Sequence, residues 1–143
     1  MKPNTDFIKQ SIKQSFENLV QFKERENSLE IITPYSTVTD KFISVFVVFQ
    51  KGKIVINDNT WFHQNYYAIP DFDEKQEFVK KIIDFYAAYY QIKQVVNKDL
   101  LVCYYKICEN ESEINNAVVE LACFLMNIIN MITVENELKT VAF

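Results

Sequence analysis

Residues 42–58 constrain this chain more than any other stretch. They read Phe-Ile-Ser-Val-Phe-Val-Val-Phe-Gln, then Lys51-Gly52-Lys53, then Ile-Val-Ile-Asn-Asp, and they bend at the only glycine among 143 residues. A two-residue loop of Lys51 and Gly52 suits a primed turn, because glycine accepts positive φ without strain. That loop sets a register with Phe49 opposite Ile54 and Val47 opposite Ile56 on one face. Val48 then faces Val55 on the other. Both faces are apolar, so the hairpin is predicted to lie centrally in a sheet and to be covered on both sides.

The rest of the chain supplies candidates for that cover. Ile8, Ile12, Phe16, Leu19 and Val20 recur at helical spacing after Pro3-Asn4-Thr5, which predicts a helix over 5–25. A short strand over 29–33 follows, stopped by Pro34, which has no N–H for a ladder. Residues 61–67 read as a short helix or a covering loop. Asp73 with Gln76 has the spacing of a capping box and precedes a helix over 74–89. Strands over 91–97 and 100–107 flank an Asn97-Lys98-Asp99 turn. Asn110 with Glu113 opens a last helix over 110–134, whose polar residues Asn116, Glu120, Asn127 and Asn130 make only a narrow stripe. The order is α-β-β-β-(α)-α-β-β-α: an α+β fold of one domain over 1–143, an antiparallel or mixed sheet of about five strands with helices packed on it.

Composition narrows the function classes. Apolar residues make up 49% and aromatics 15%, which excludes a disordered chain. The net charge of −4 disfavours nucleic acid as a partner, since phosphate binding needs clustered cations. Only one of the 15 basic residues is an arginine, Arg25. Cys103, Cys108 and Cys123 are odd in number, show no C-x-x-C spacing and follow no signal peptide, so the expectation is a reduced, cytoplasmic chain with buried thiols. The apolar run 117–134 approaches the length of a membrane span. Its Glu120, Asn127 and Asn130 favour a buried helix instead, and no membrane association is expected.

No P-loop, nucleophile elbow, dinucleotide fingerprint or paired metal-ligand motif occurs, so no catalytic residue, metal or cofactor is assigned. Two arrangements of residues bear on other functions. Glu30, Asp40 and Asp58 lie at strand positions or strand ends, where carboxylates can hold Mg²⁺ for phosphodiester cleavage. A metal-dependent nuclease of this kind would also need a lysine on the third strand, and Ile54-Val55-Ile56 stands there. Asp40 and Asp58 therefore read first as turn residues bonded to local backbone. The second alternative is a small-ligand sensor built on the aromatic-polar run around Trp61, His63 and Tyr66, which reads first as a lid on the core.

Glu30-Ile31-Ile32-Thr33-Pro34, Asp40 leading into Ile43-Ser44-Val45-Phe46-Val47, and Ile56-Asn57-Asp58-Asn59 together resemble an uncharacterised bacterial and phage domain family. That family, a domain of unknown function, shows an I-x-T-P strand and a strand ending in D-[DN]-G; Thr60 stands where it usually has glycine. The resemblance spans about residues 8–132 and implies the fold order and a bacterial or phage source, with no activity. The reading is a small protein-interaction domain with an accessory or inhibitory role. Its expected partner is another protein, or a second copy in a homodimer through the helix 110–134, whose apolar circumference exceeds what one sheet face covers.

Overall fold

The chain runs α1 (Thr5–Leu19), β1 (Gln21–Glu24), β2 (Leu29–Ser36), β3 (Phe42–Gln50), β4 (Lys53–Asn57), α2 (Glu77–Tyr90), β5 (Lys93–Val96), β6 (Val102–Cys108) and α3 (Ile114–Thr140). The structure is a computed structural model that describes residues 4–140; Pro3, from the expected helix start, lies outside them. All strand pairs are antiparallel, in the order β1-β2-β3-β4-β6-β5. The fold is α+β, and β3 and β4 hold the two central places.

The central turn forms because its two residues accept left-handed backbone. Lys51 and Gly52 take φ of 51° and 76°, a primed turn whose twist matches the strands. The register is Val47 to Ile56, Val48 to Val55 and Phe49 to Ile54. Val45, Val47, Ile54 and Ile56 are buried on the face that α3 crosses. α3 lies against β2, β3, β4 and β6, and α2 packs against α3. Leu121, Phe124, Leu125, Ile128, Ile129 and Ile132 are wholly enclosed. Much of the apolar circumference of the helix 110–134 is thus buried within one chain, against the sheet and α2, while Val119, Met131 and Val134 stay exposed.

The polar stripe of α3 is spent on ties to its neighbours. Glu120 pairs with Lys106 Nζ of β6, and Lys106 Nζ also donates to the carbonyl of Tyr90 at 2.7 Å. Asn127 donates to the Tyr90 hydroxyl at 2.9 Å. Asn130 accepts from the Val38 N–H at 2.9 Å. A helix this apolar needs polar groups with assigned partners, because each one left buried and unbonded costs about 1–3 kcal/mol.

Four expectations are corrected in detail. The helix expected over 5–25 ends at Leu19, and residues 21–24 form a sixth strand, because Phe22 pairs opposite Ile31 and the backbone gains a ladder with β2. β2 continues through Pro34 to Ser36. The missing N–H falls in a register shift between Ile32 and Ser36, where Thr33 Oγ1 donates to the Ile43 carbonyl at 2.8 Å instead. Residues 61–67 take the second of their two expected forms, a loop of successive turns. α2 starts at Glu77 rather than 74, because Asp73 accepts the Lys75 N–H at 3.0 Å in a local turn and Gln76 becomes the cap. The last helix begins after a short 3-10 turn over Glu111–Glu113.

The hairpin's second face is covered only in part. Trp61 meets Phe46 edge-on at 4.8 Å, whereas Val48 and Val55 are half-buried and Ile107 is exposed.

Replacing Val47 by Asp puts an unpaired charge beneath α3 and is expected to cost several kcal/mol, enough to unfold a domain of ordinary stability. Circular dichroism at 25 °C reads this directly, and a folded variant with the wild-type Tm would refute the packing. Gly52→Ala tests the turn separately. A Cβ there meets nothing within 4 Å, so only the backbone strain remains, about 1 kcal/mol in urea titration; a loss of several kcal/mol would contradict it.

Candidate functional site

Asp58 ends β4 and is fully buried. Its Oδ1 accepts the N–H of Tyr104 at 2.9 Å and of Thr60 at 3.2 Å, and its Oδ2 accepts that of Phe62 at 3.3 Å. The carboxylate thereby joins β4 and β6 to the segment that follows. That segment needs such an anchor. Asn59, Thr60, Asn65, Ala68 and Asp71 all take positive φ, and a β-branched residue like Thr60, at φ 59°, is strained there. Burial pushes the Asp58 carboxyl up to about 6 from 3.8, against the opposing effect of the backbone N–H groups.

Glu30 is buried on β2 and both its oxygens are engaged. Arg25 donates to Oε1 from Nε at 2.9 Å and from a terminal nitrogen at 2.6 Å, and Ser44 Oγ donates to Oε2 at 2.7 Å. The same guanidinium lies 5.8 Å from the ring centres of Phe46 and of Trp61. The one arginine of the chain therefore closes the strand face beneath the tryptophan. Asp40 sits exposed in the β2–β3 turn at φ 64°, donating its N–H to the Thr37 carbonyl. Among the described residues no three His, Cys, Asp or Glu side chains assemble into a group that would hold a metal ion. Glu30, Asp40 and Asp58 are thus committed to three separate local arrangements.

The aromatic run is divided between two places. Trp61 stacks on Tyr66 at 3.9 Å, so these rings occupy each other's faces. His63 turns away from them: its Nδ1 accepts the Val102 N–H at 2.9 Å, which leaves the ring proton on Nε2, 3.5 Å from Glu74 Oε1. It lines a cleft of about 420 Å³ with Glu74, Lys80, Asp84, Gln94 and Tyr104. Phe62 points to Tyr104 and Phe72, and Tyr67 bonds Ser44 backbone through its hydroxyl. Cys103 lies close to Asp58, and burial and that charge push its thiol up to about 11. It is a poor nucleophile at neutral pH. Cys108 and Cys123 are raised by burial as well.

The feature that periodicity alone could not reveal is at α1. Asn4 caps the helix, accepting the Phe7 N–H at 3.2 Å. Ile8, Ile12, Phe16 and Leu19 fall on one side of it. They are 43 to 60% exposed, and no residue of α1 is buried. This seam runs into an open groove of about 610 Å³ between β1–β2 and the start of α3, where Phe16, Phe22, Ile31, Tyr35, Phe49 and Val118 meet. Phe49, whose strand partner Ile54 is buried, is itself 74% exposed at the groove's rim.

No family model, curated protein or solved structure matches the chain.

The Asp58 carboxyl gives a signed pH dependence. A raised folded-state value means that its contribution to stability is full below about 4 and is lost as pH rises through about 6. Urea unfolding at pH 4, 5, 6 and 7 is expected to show the stability gap between wild type and Asp58→Asn shrinking with rising pH. A gap that is constant or widens contradicts the assignment.

Proposed function

We propose that this chain is a protein-docking module and that α1 is its recognition element. The observation that carries the reading is the seam of Ile8, Ile12, Phe16 and Leu19, aligned on one helix face and left in water. An amphipathic helix ordinarily buries its apolar face against its own core. Here the core is complete without it: α3, α2 and the segment after Asp58 supply the cover. The seam and groove together exceed the few hundred Å² of contiguous apolar surface usual on a monomer.

Charge favours a protein over a lipid surface. Membrane-surface helices carry an excess of Lys and Arg on the polar side. α1 has Lys9 and Lys13 against Asp6 and Glu17, which sum to zero, in a chain of net charge −4. A reduced cytoplasmic setting and an accessory or inhibitory role fit a small domain whose surface is given to docking. The carboxylates and the aromatic run are engaged in holding the fold, and the reading assigns them no catalytic part.

The test compares wild type with Ile12→Asp and Leu19→Asp by in-cell cross-linking, with Tm measured alongside. Both variants are expected to lose cross-linked products, whether to self or to another protein, while the sheet core keeps a cooperative unfolding transition. Retention of every product, or loss of that transition, overturns the proposal.

A further inference from the structure

We infer that the occupant of the α1 seam and its groove is a second copy of this chain, paired about a two-fold axis so that each α1 lies in the other's groove. This rests on the docking reading above and names its partner. Three observations carry it.

First, donor and acceptor are on the same molecule and adjoin. The groove is lined by Phe22, Ile31, Tyr35, Phe49 and Val118 and bounded by Phe16 of α1 itself. α1 cannot fill it from within. The helix ends at Leu19, two residues before β1 begins, so its last turn is fixed at the groove's edge while none of its fifteen residues is buried. A copy related by a two-fold axis near Phe16 covers both surfaces in one step, as isologous pairing requires. A 15-residue helix is about 22 Å long, enough for its N-terminal half to cross the partner's groove.

Second, the area suffices. Ile8, Ile12, Phe16, Leu19, Phe22 and Phe49 are 43 to 74% exposed, which amounts to about 690 Å² per chain if a fully exposed large apolar side chain offers roughly 200 Å². Full cover in two copies would remove about 1,400 Å² from water, inside the range of roughly 1,200–2,000 Å² of stable interfaces. Either surface alone would fall short.

Third, the charges permit it. With two lysines and two acidic residues on each α1, antiparallel copies meet without net repulsion.

The experiment is sedimentation velocity on the purified full chain from 1 to 100 μM, for wild type, Ile12→Asp, Phe49→Asp and, as a control away from the surface, Val95→Asp. Wild type and the control are expected at twice the 16.9 kDa of the chain. Ile12→Asp, on the seam, and Phe49→Asp, on the groove, are each expected to dissociate with affinity reduced about tenfold or more. A one-to-one mixture of the two is expected to recover part of the dimer, because one intact seam then meets one intact groove. A wild-type mass of one chain at 100 μM overturns the self-pairing, as does a dimer that both variants leave intact. Binding of the monomer to anionic vesicles in the same samples would assign the seam to a membrane and overturn it too. If the chain is monomeric while Ile12→Asp still loses a cross-linked protein, the partner is another protein and only the docking reading survives. If the variants unfold by circular dichroism, the seam belongs to the core and both readings fall together.

Discussion

The buried carboxylate of Asp58 is the interaction on which the rest of the structure depends. It stands at the point where β4 stops and an irregular segment must cross the end of the sheet. That crossing needs left-handed backbone at Asn59 and Thr60, which only fixed hydrogen bonds will hold. The carboxylate accepts two N–H groups from the segment and one from Tyr104 on β6. One ion thus sets the start of the crossing and ties it to the neighbouring strand. From that start, Trp61 reaches Phe46 on one side of the sheet and Phe62 reaches Tyr104 beneath α3. An amide could not serve all three donors, because it would turn an N–H₂ toward one of them.

The cover of the sheet is unequal, and the unequal cover determines which surfaces are free. On one face α3 lies across four strands with α2 packed against it, and polar residues at Glu120, Asn127 and Asn130 fix its position. On the other, the Trp61 segment reaches only the part over Phe46 and Ser44, where Arg25 and Glu30 complete the closure. β1 lies beyond the reach of α3. The groove at Phe22 and Ile31 is the space left between a helix that covers β2 to β6 and an edge strand that extends the sheet by one more.

Legibility in the sequence follows the range of the interactions involved. The central hairpin was readable because its determinants are local: one glycine, two flanking lysines and alternating side chains fix both turn and register. The α+β order was readable from periodicity for the same reason. β1 was not, since Phe22 gains its strand geometry only by pairing with Ile31, and the helical spacing that precedes it extrapolates smoothly through residue 25. Asp58 showed as a turn residue, but its bond to Tyr104 spans 46 positions, and nothing near it in sequence signals that contact. The carboxylates Glu30, Asp40 and Asp58 looked alike as strand-end acids. They differ in partners: an arginine and a serine for the first, solvent for the second, and backbone N–H groups for the third. The stripe on α1 is visible in the sequence as an apolar face, but periodicity reports a face and not what lies against it.

That last distinction bears on how α1 holds its shape. A helix of 15 residues is marginal in water when nothing packs on it. α1 has little local help: Asn4 supplies one cap bond, Lys9 and Lys13 stand four apart with like charge, and Lys13 precedes Glu17 in the less favourable order. Gln, Ser and Asn at five of its positions contribute no apolar packing. On the docking reading proposed above, the free energy that fixes α1 comes largely from burial of Ile8, Ile12, Phe16 and Leu19 against a partner outside the fold's own core. Order in the helix and occupation of its seam are then one equilibrium. A partner that covers the seam supplies the stability that the sequence of α1 omits.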